Sequence, residues 1–143
     1  MTQEDKGLLL KDLSARLLYG VKFKIGNYSD YKLIGVVITD EHQIKVELIE
    51  NEIPYKIEVS PDIIKTYLRP MSSMTEKEKK EFDDFCVIDE FAWKGNSEIG
   101  YKNQAIIMSD AINWLNAHHF DYRGLIEKDL AIEVTEENNP YKE

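Results

Sequence analysis

GVKFKIGNYSDYKLIGVVITDEHQIKVELIENEIPYKIEV, residues 20–59, alternates apolar and polar side chains through successive segments. Val21, Phe23 and Ile25 are separated by Lys22 and Lys24; Ile44, Val46 and Leu48 by Lys45 and Glu47; Tyr55, Ile57 and Val59 by Lys56 and Glu58. Period two marks a strand with one face on a core and the other in water. YKLIGVVIT, residues 31–39, reads as a more buried strand of the same set. Turn chemistry separates the segments at Asn27 to Asp30, at Asp40-Glu41-His42, and at Asn51-Glu52 followed by Pro54. Short connections between consecutive strands predict an antiparallel meander. Ser60-Pro61-Asp62 then starts a short helical turn, and TYLRPM, residues 66–71, reads as a closing strand.

Upstream, GLLLKDLSARLL (7–18) places Leu9, Leu10, Leu13 and Leu17, with Leu8 and Leu18 adjoining, on one side of a helix. Lys11, Asp12 and Arg16 are expected outside it, and Gly20 ends it. A helix, four alternating strands, a helical turn and a fifth strand is the order found in small SH3-like or Sm-like barrels. An open twisted sheet covered on one face by helices satisfies the same hydrophobic pattern. The fold class expected is therefore α+β: an N-terminal helix and antiparallel β meander, followed by a helical C-terminal portion.

Arg69-Pro70-Met71-Ser72-Ser73-Met74 interrupts both periodicities and reads as a hinge or linker, dividing the chain into residues 1–74 and 75–143. Thr75-Glu76-Lys77-Glu78 is a capping box, so a helix should begin there, burying Phe82, Phe85 and Cys86 and exposing Lys77, Lys79, Lys80 and Glu81. Residues 87–102 read as irregular, with Gly95-Asn96-Ser97 as a loop. A helix over about 103–118 groups Ile107, Met108, Ala111, Trp114, Leu115 and His118 on one face, opposite Ser109, Asn113 and Asn116. Asp121 is placed to cap a short helix over 122–128, Leu130 to Val134 adds a last strand, and the tail from about 135 is expected to be disordered. The second part is thus an acidic, mainly helical subdomain packed on the first.

The net charge of −9 is uneven. Residues 1–74 hold 10 Lys and Arg against 11 Asp and Glu; residues 75–143 hold 8 against 16. An acidic excess repels phosphate backbones, so direct nucleic-acid binding is disfavoured, although Lys22, Lys24, Lys32 and Lys45 leave a basic face available to the β part. The apolar runs Leu8 to Leu10 and Val36 to Ile38 fall far short of the ~20 residues that span a bilayer, so no membrane association is expected. The first eighteen residues lack the basic start and continuous apolar core of a signal peptide, and a cytoplasmic protein is expected. Cys86 is the sole cysteine, so no internal disulfide or cysteine-based zinc cage forms within one chain. Its apolar neighbours Phe85, Val87 and Ile88, among four nearby carboxylates, describe a buried structural thiol.

SDAINWLNAHHFDYRGLIEKDLAIE, residues 109–133, concentrates Trp114, His118, His119 and Arg123 with several carboxylates at a helix end. Adjacent histidines on a helix point about 100° apart and do not chelate from one face, unlike the i, i+4 pair of a helical zinc site. A His at a helix C-terminus is explained by the helix dipole alone. Asp110 shares the face of His118 only two turns away. Asp83, Asp84, Asp89 and Glu90 read as a solvated acidic surface rather than a divalent-cation site. No phosphate loop, nucleophile elbow or kinase motif is present, and a helix-turn-helix reading fails because Glu127 and Asp129 offset Arg123 and Lys128. No catalytic residue, metal ligand or cofactor site is assigned. Aromatic and basic groups remain as a partner-facing set: Trp93, Tyr101, His119, Phe120, Tyr122 and Arg123, with core packing as the competing role.

YLRPMSSMTEKEKKEFDDF (67–85) and INWLNAHHFDYRGLIEKDLAIE (112–133) resemble a group of small uncharacterised proteins that recur in gut Bacteroidetes genomes, often in phage-like or mobile regions. The likeness covers roughly residues 7–133 and departs at Asp129, where relatives carry Gly. The resemblance implies a phage-associated setting and transfers no catalytic residue. The expected function is that of a non-enzymatic protein-interaction or accessory protein of a phage-like or mobile-element system, bound to a protein partner. A metal-dependent hydrolase using His118 or His119 with a carboxylate, and nucleic-acid binding through the β part, are the alternatives.

Overall fold

A computed structural model, which describes residues 1–38, 44–50, 52–86 and 97–142, turns the alternating segments into strands. They are β1 (Lys22–Ile25), β2 (Tyr28–Ile38), β3 (Ile44–Glu50) and β4 (Ile53–Val59), each antiparallel to the next. A 3-10 turn at Pro61–Ile63 redirects the chain into β5 (Ile64–Pro70), which returns to pair antiparallel with β1. The fold is α+β, as its sequence pattern predicts.

Two distant segments then add to β5. Phe120–Asp121 forms β6, parallel to Arg69 and Pro70, and Ala131–Glu133 forms β7, parallel to Thr66 through Leu68. Thr66 pairs with Phe23 on one side and Ala131 on the other, so β7 covers the edge of β5 that β1 leaves open. The sheet order is β4-β3-β2-β1-β5-β6, with β7 beside β5. Among the described residues no strand pairs with the outer edge of β4.

Helix α1 (Gln3–Arg16) starts four residues earlier than its apolar spacing suggests, because the Thr2 hydroxyl accepts from the Asp5 amide at 3.0 Å and caps it. After a 3-10 turn (Leu17–Tyr19), Gly20 takes φ +66, a left-handed conformation open to glycine without a Cβ penalty. Leu9 and Leu13 enter the core with Val21, Phe23, Leu33, Val46, Val59, Ile64 and Leu68. Leu125, Leu130 and Ala131 complete that cluster, so the chain beyond residue 75 contributes to the core of the sheet. Asp12 and Arg16, expected outside, are fully buried: they pair with each other and with groups more than 100 residues away.

The capping box forms as the sequence predicts. Glu78 N–H donates to the Thr75 hydroxyl at 3.1 Å, Thr75 N–H donates to the Glu78 carboxylate at 3.0 Å, and α2 runs Glu76–Cys86. Phe82 packs on Trp114, but Phe85 is exposed, since α2 turns only one side toward its neighbour. Helix α3 spans Ser97–Ala117, beginning within the stretch expected to be irregular. The rest of that stretch, with Trp93, Asp89 and Glu90, lies outside the described residues. Ala111, Trp114 and Leu115 are buried as expected; Met108 is exposed and Asn116 buried, so the packed face is rotated toward the helix C-terminus.

No helix forms over 122–128. Both oxygens of Asp121 accept backbone N–H groups, from Leu125 at 3.0 Å and Ile126 at 2.9 Å, and the chain closes into turns instead. Asp129 ends them at φ +58, in the left-handed region that glycine occupies without strain. The segment expected to be a hinge is clamped: Arg69 reaches the Ser73 carbonyl and Glu78, and the Ser73 hydroxyl donates to the Pro70 carbonyl. The tail is ordered rather than disordered, for the Tyr141 hydroxyl accepts from Lys22 N–H at 3.0 Å and donates to the Tyr67 carbonyl at 2.7 Å. It bridges β1 and β5 where their ladder ends. Among the described residues no helix is long and apolar enough to cross a membrane.

Leu13 and Leu18 belong to the same apolar run, yet Leu13 is fully buried and Leu18 is 89% exposed. Leu13→Ala is expected to cost about 2–5 kcal/mol. Leu18→Ala should change stability by no more than about 0.5 kcal/mol. Urea unfolding midpoints of the two variants check the assignment.

Candidate functional site

The residues singled out in the sequence converge at the C-terminal end of α3. His118 continues the helix by donating its amide to the Trp114 carbonyl at 3.1 Å. Its Nδ1 lies 2.9 Å from the same carbonyl, and its ring stacks on Trp114 at 4.0 Å between centroids. His119 then turns the chain at φ +63, which throws its ring to the other side of the backbone, onto Tyr141. The two rings stack at 3.7 Å with an interplanar angle of 8°. Adjacent in sequence, the histidines serve different contacts.

Burial drives the His119 imidazole toward its neutral form, and the positive charges of Arg16, His118, Arg69 and Lys22 act in the same direction, lowering its pKa to about 4. Its Nδ1 is buried and has no hydrogen-bond partner among the described residues. Burial likewise pushes the Tyr141 hydroxyl above its usual range. His119 thus lacks the proton that an acid would donate at neutral pH, and among the described residues no carboxylate is bonded to it to orient it as a base.

Beneath this turn, Asp12 bonds Arg16 Nε at 2.9 Å through one oxygen and Arg123 at 2.9 Å through the other. Arg16 also donates to the Phe120 carbonyl. Arg123 donates to the Tyr122 hydroxyl at 2.6 Å, which donates to the Asn116 side chain at 2.8 Å. On the far side of Phe120 the Arg69 guanidinium lies over the ring at 4.1 Å and grips both oxygens of Glu78 at 2.8 Å. Those hydrogen bonds hold the Glu78 carboxyl at a pKa of about 2, despite a partial opposing effect of burial. The arrangement fastens α1, β5, α2 and α3 to one another through groups bonded among themselves. Among the described residues no cluster of three or more His, Cys, Asp or Glu side chains is arranged to hold a metal ion.

Of the partner-facing set, Phe120 is fully buried, which corrects its placement on a surface. His119, Tyr122 and Arg123 are half-buried and engaged internally, Trp93 lies outside the described residues, and Tyr101 alone is well exposed, at 67%. Tyr101 stands about 24 Å along α3 from the histidine turn, so the set does not form one patch. No family model, curated protein or solved structure matches this chain.

Two apolar surfaces were not singled out by sequence reasoning. On α3, Tyr101, Ala105, Met108 and Ile112 are all exposed and follow one another at intervals of four, three and four, the spacing of a single helical stripe. Where α3 faces α2, a cavity of about 340 Å³ is lined by Glu81, Asp84, Phe85 and Trp114. On β4, Ile53, Tyr55 and Ile57 are 53%, 44% and 39% exposed. The signal for the first was available: α3 carries apolar residues on two sides, and a helix at the surface buries one.

The unfolded chain protonates His119 near pH 6.5, the fold only near 4. Between these values the unfolded state binds more protons, so stability falls as pH drops through this window and the loss is complete below about 4. Glu78 acts lower, its contribution being present above about 4.5 and lost toward 2. His119→Asn, which tolerates the left-handed backbone, should flatten the slope between pH 6.5 and 4. Glu78→Gln should flatten only the acidic limb. Urea midpoints measured across pH separate the two.

Proposed function

We propose that this chain is a non-enzymatic interaction protein that receives an amphipathic helix of a protein partner on α3, in the phage-like or mobile-element setting that its sequence resemblance implies. The observation that carries the reading is the exposed stripe Tyr101, Ala105, Met108 and Ile112. An unpaired stripe at coiled-coil spacing accepts the matching stripe of a second helix, each knob entering a hole on the other.

The groove where α3 faces α2, on a different side of α3 from the stripe, offers the partner a second contact. Phe85 and Trp114 give it an apolar floor, and Glu81 and Asp84 give it a carboxylate rim. An apolar anchor followed one turn later by Lys or Arg fits both, and the acidic excess beyond residue 75 favours a basic helix over an acidic one. A cytoplasmic setting belongs to the same reading and accords with a single cysteine. So does kinship with SH3-like or Sm-like barrels, supported by the β4-β3-β2-β1-β5 order and the 3-10 turn between β4 and β5. Such barrels are general binding scaffolds.

The hydrolase reading gains no support from the geometry of the described residues, in which the two histidines contact Trp114 and Tyr141 rather than a carboxylate. A Met108→Glu/Ile112→Glu variant should keep the wild-type unfolding free energy within about 1 kcal/mol, since both positions are exposed. It should lose a stoichiometric, nuclease-resistant protein partner that the wild type retains in pull-downs from host lysate. Retention of the partner by the variant would refute the α3 site, and release of the wild-type complex by nuclease would favour nucleic acid.

A further inference from the structure

The hairpin formed by β3 and β4 leaves an edge whose polarity follows from its register. Glu50 pairs with Ile53 across a two-residue connection, so these two exchange both backbone hydrogen bonds. The pairing runs without a shift to Ile44 opposite Val59. Ile53, Tyr55, Ile57 and Val59 therefore direct their N–H and C=O groups toward β3, while Pro54, Lys56 and Glu58 direct theirs outward. Pro54, which has no N–H, occupies an outward position where none is required by the ladder.

Side chains on this strand obey the same alternation. Tyr55, Ile57 and Val59 share one face, of which only Val59 is buried; Lys56 and Glu58 are exposed on the other. Read from either end, the segment Tyr55-Lys56-Ile57-Glu58-Val59 has the same apolar and polar order, with the two charges exchanged. That symmetry lets an antiparallel pairing of identical strands set apolar residues against apolar ones and opposite charges against each other.

We propose that the outer edge of β4 pairs with β4 of a second copy of this chain, in the register that places Ile57 opposite Ile57. Lys56 then faces Glu58 of the second copy, and Glu58 faces its Lys56. These are outward-directed residues, so each pair exchanges two backbone hydrogen bonds as well as matching opposite charges. Tyr55 faces Val59 on the other side of the sheet, and the two Ile57 side chains meet on the symmetry axis, covering the apolar residues that the single chain leaves in water. Lys56 already has an interaction within its own chain, and the new contact adds to it. A shift of this register by two residues opposes Lys56 to Lys56 or Glu58 to Glu58, so like charges select against it. At the other side of the sheet β7 covers β5, which directs strand addition to β4. The surface is separate from the α3 stripe, and neither reading depends on the other.

Sedimentation velocity on the wild type and two charge variants tests this. The wild type should dimerise. Lys56→Glu places Glu against Glu twice across the axis, and Glu58→Lys places Lys against Lys; each should weaken the dimer about tenfold or more. An equimolar mixture of the two variants restores both opposite-charge pairs and should form a heterodimer of near wild-type affinity. Recovery on mixing also shows that both variants are folded. A wild type that stays monomeric at about 1 mM, charge variants that dimerise like the wild type, or a mixture no tighter than its components would each overturn the proposal.

Discussion

Taking a carboxylate and a guanidinium out of water costs several kcal/mol per ion unless each finds its counter-charge and its remaining hydrogen bonds inside. Asp12 and Arg16, one turn apart on α1, find their counter-charges and most of those bonds because Arg123 and the Phe120 carbonyl arrive from the other end of the chain, while Arg16 Nη1 stays without a partner among the described residues. The consequence is positional. The turn after α3 has to pass over α1 at a height that brings Arg123 to one Asp12 oxygen and the Phe120 carbonyl to Arg16. Fixing that turn aligns β6 with Arg69 and leaves His119 in the left-handed conformation that meets Tyr141. A hydrophobic core tolerates sliding of one apolar face over another. A buried ion network with directional bonds does not.

The same constraint explains why a stretch that reads as chemically loaded is structurally occupied. Histidines, an arginine and aspartates at one helix end suggest a reactive centre, but each is engaged by its own neighbours. His118 stacks on Trp114, Asp121 binds two amides of the following turn, and Arg123 neutralises Asp12. Among the described residues, exposed apolar side chains line up elsewhere, on the helix stripe and the sheet edge, and are mainly Ile, Met and Tyr. Exposed apolar residues aligned on one element carry more information about association than titratable groups held by internal contacts.

The strands were legible because alternation between Val21 and Val59 depends on local sequence alone, and so was the α2 start, since Thr75 and Glu78 satisfy each other within one turn. Asp12 and Arg16 were not legible. Their charges argue for solvent, and the groups that permit burial lie beyond any local window. Asp121 illustrates a subtler failure: its carboxylate does bind amides downstream, as a helix cap would, yet Gly124 at φ +77 turns the chain before a helix can form. The tail misled through composition. Polar residues surround Tyr141, whose single hydroxyl closes two backbone groups of the sheet. The rotation of α3 was hidden because two of its sides are apolar and periodicity does not rank them.

The parallel pairing of β5 with segments beginning at Phe120 and Ala131 has a kinetic meaning. The meander hairpins join neighbours in sequence and close small loops, whereas β5 acquires β7 only across more than 60 residues. Loop-closure entropy has to be overcome before such contacts return free energy, and parallel pairings of this span belong to the slow end of small-domain folding, on the order of milliseconds to seconds. The hairpins are therefore expected to form before the contacts of longer span, among them Arg123 with Asp12. Until β7 docks, the edge of β5 away from β1 has no strand beside it, and an unpaired edge is where mispairing is expected.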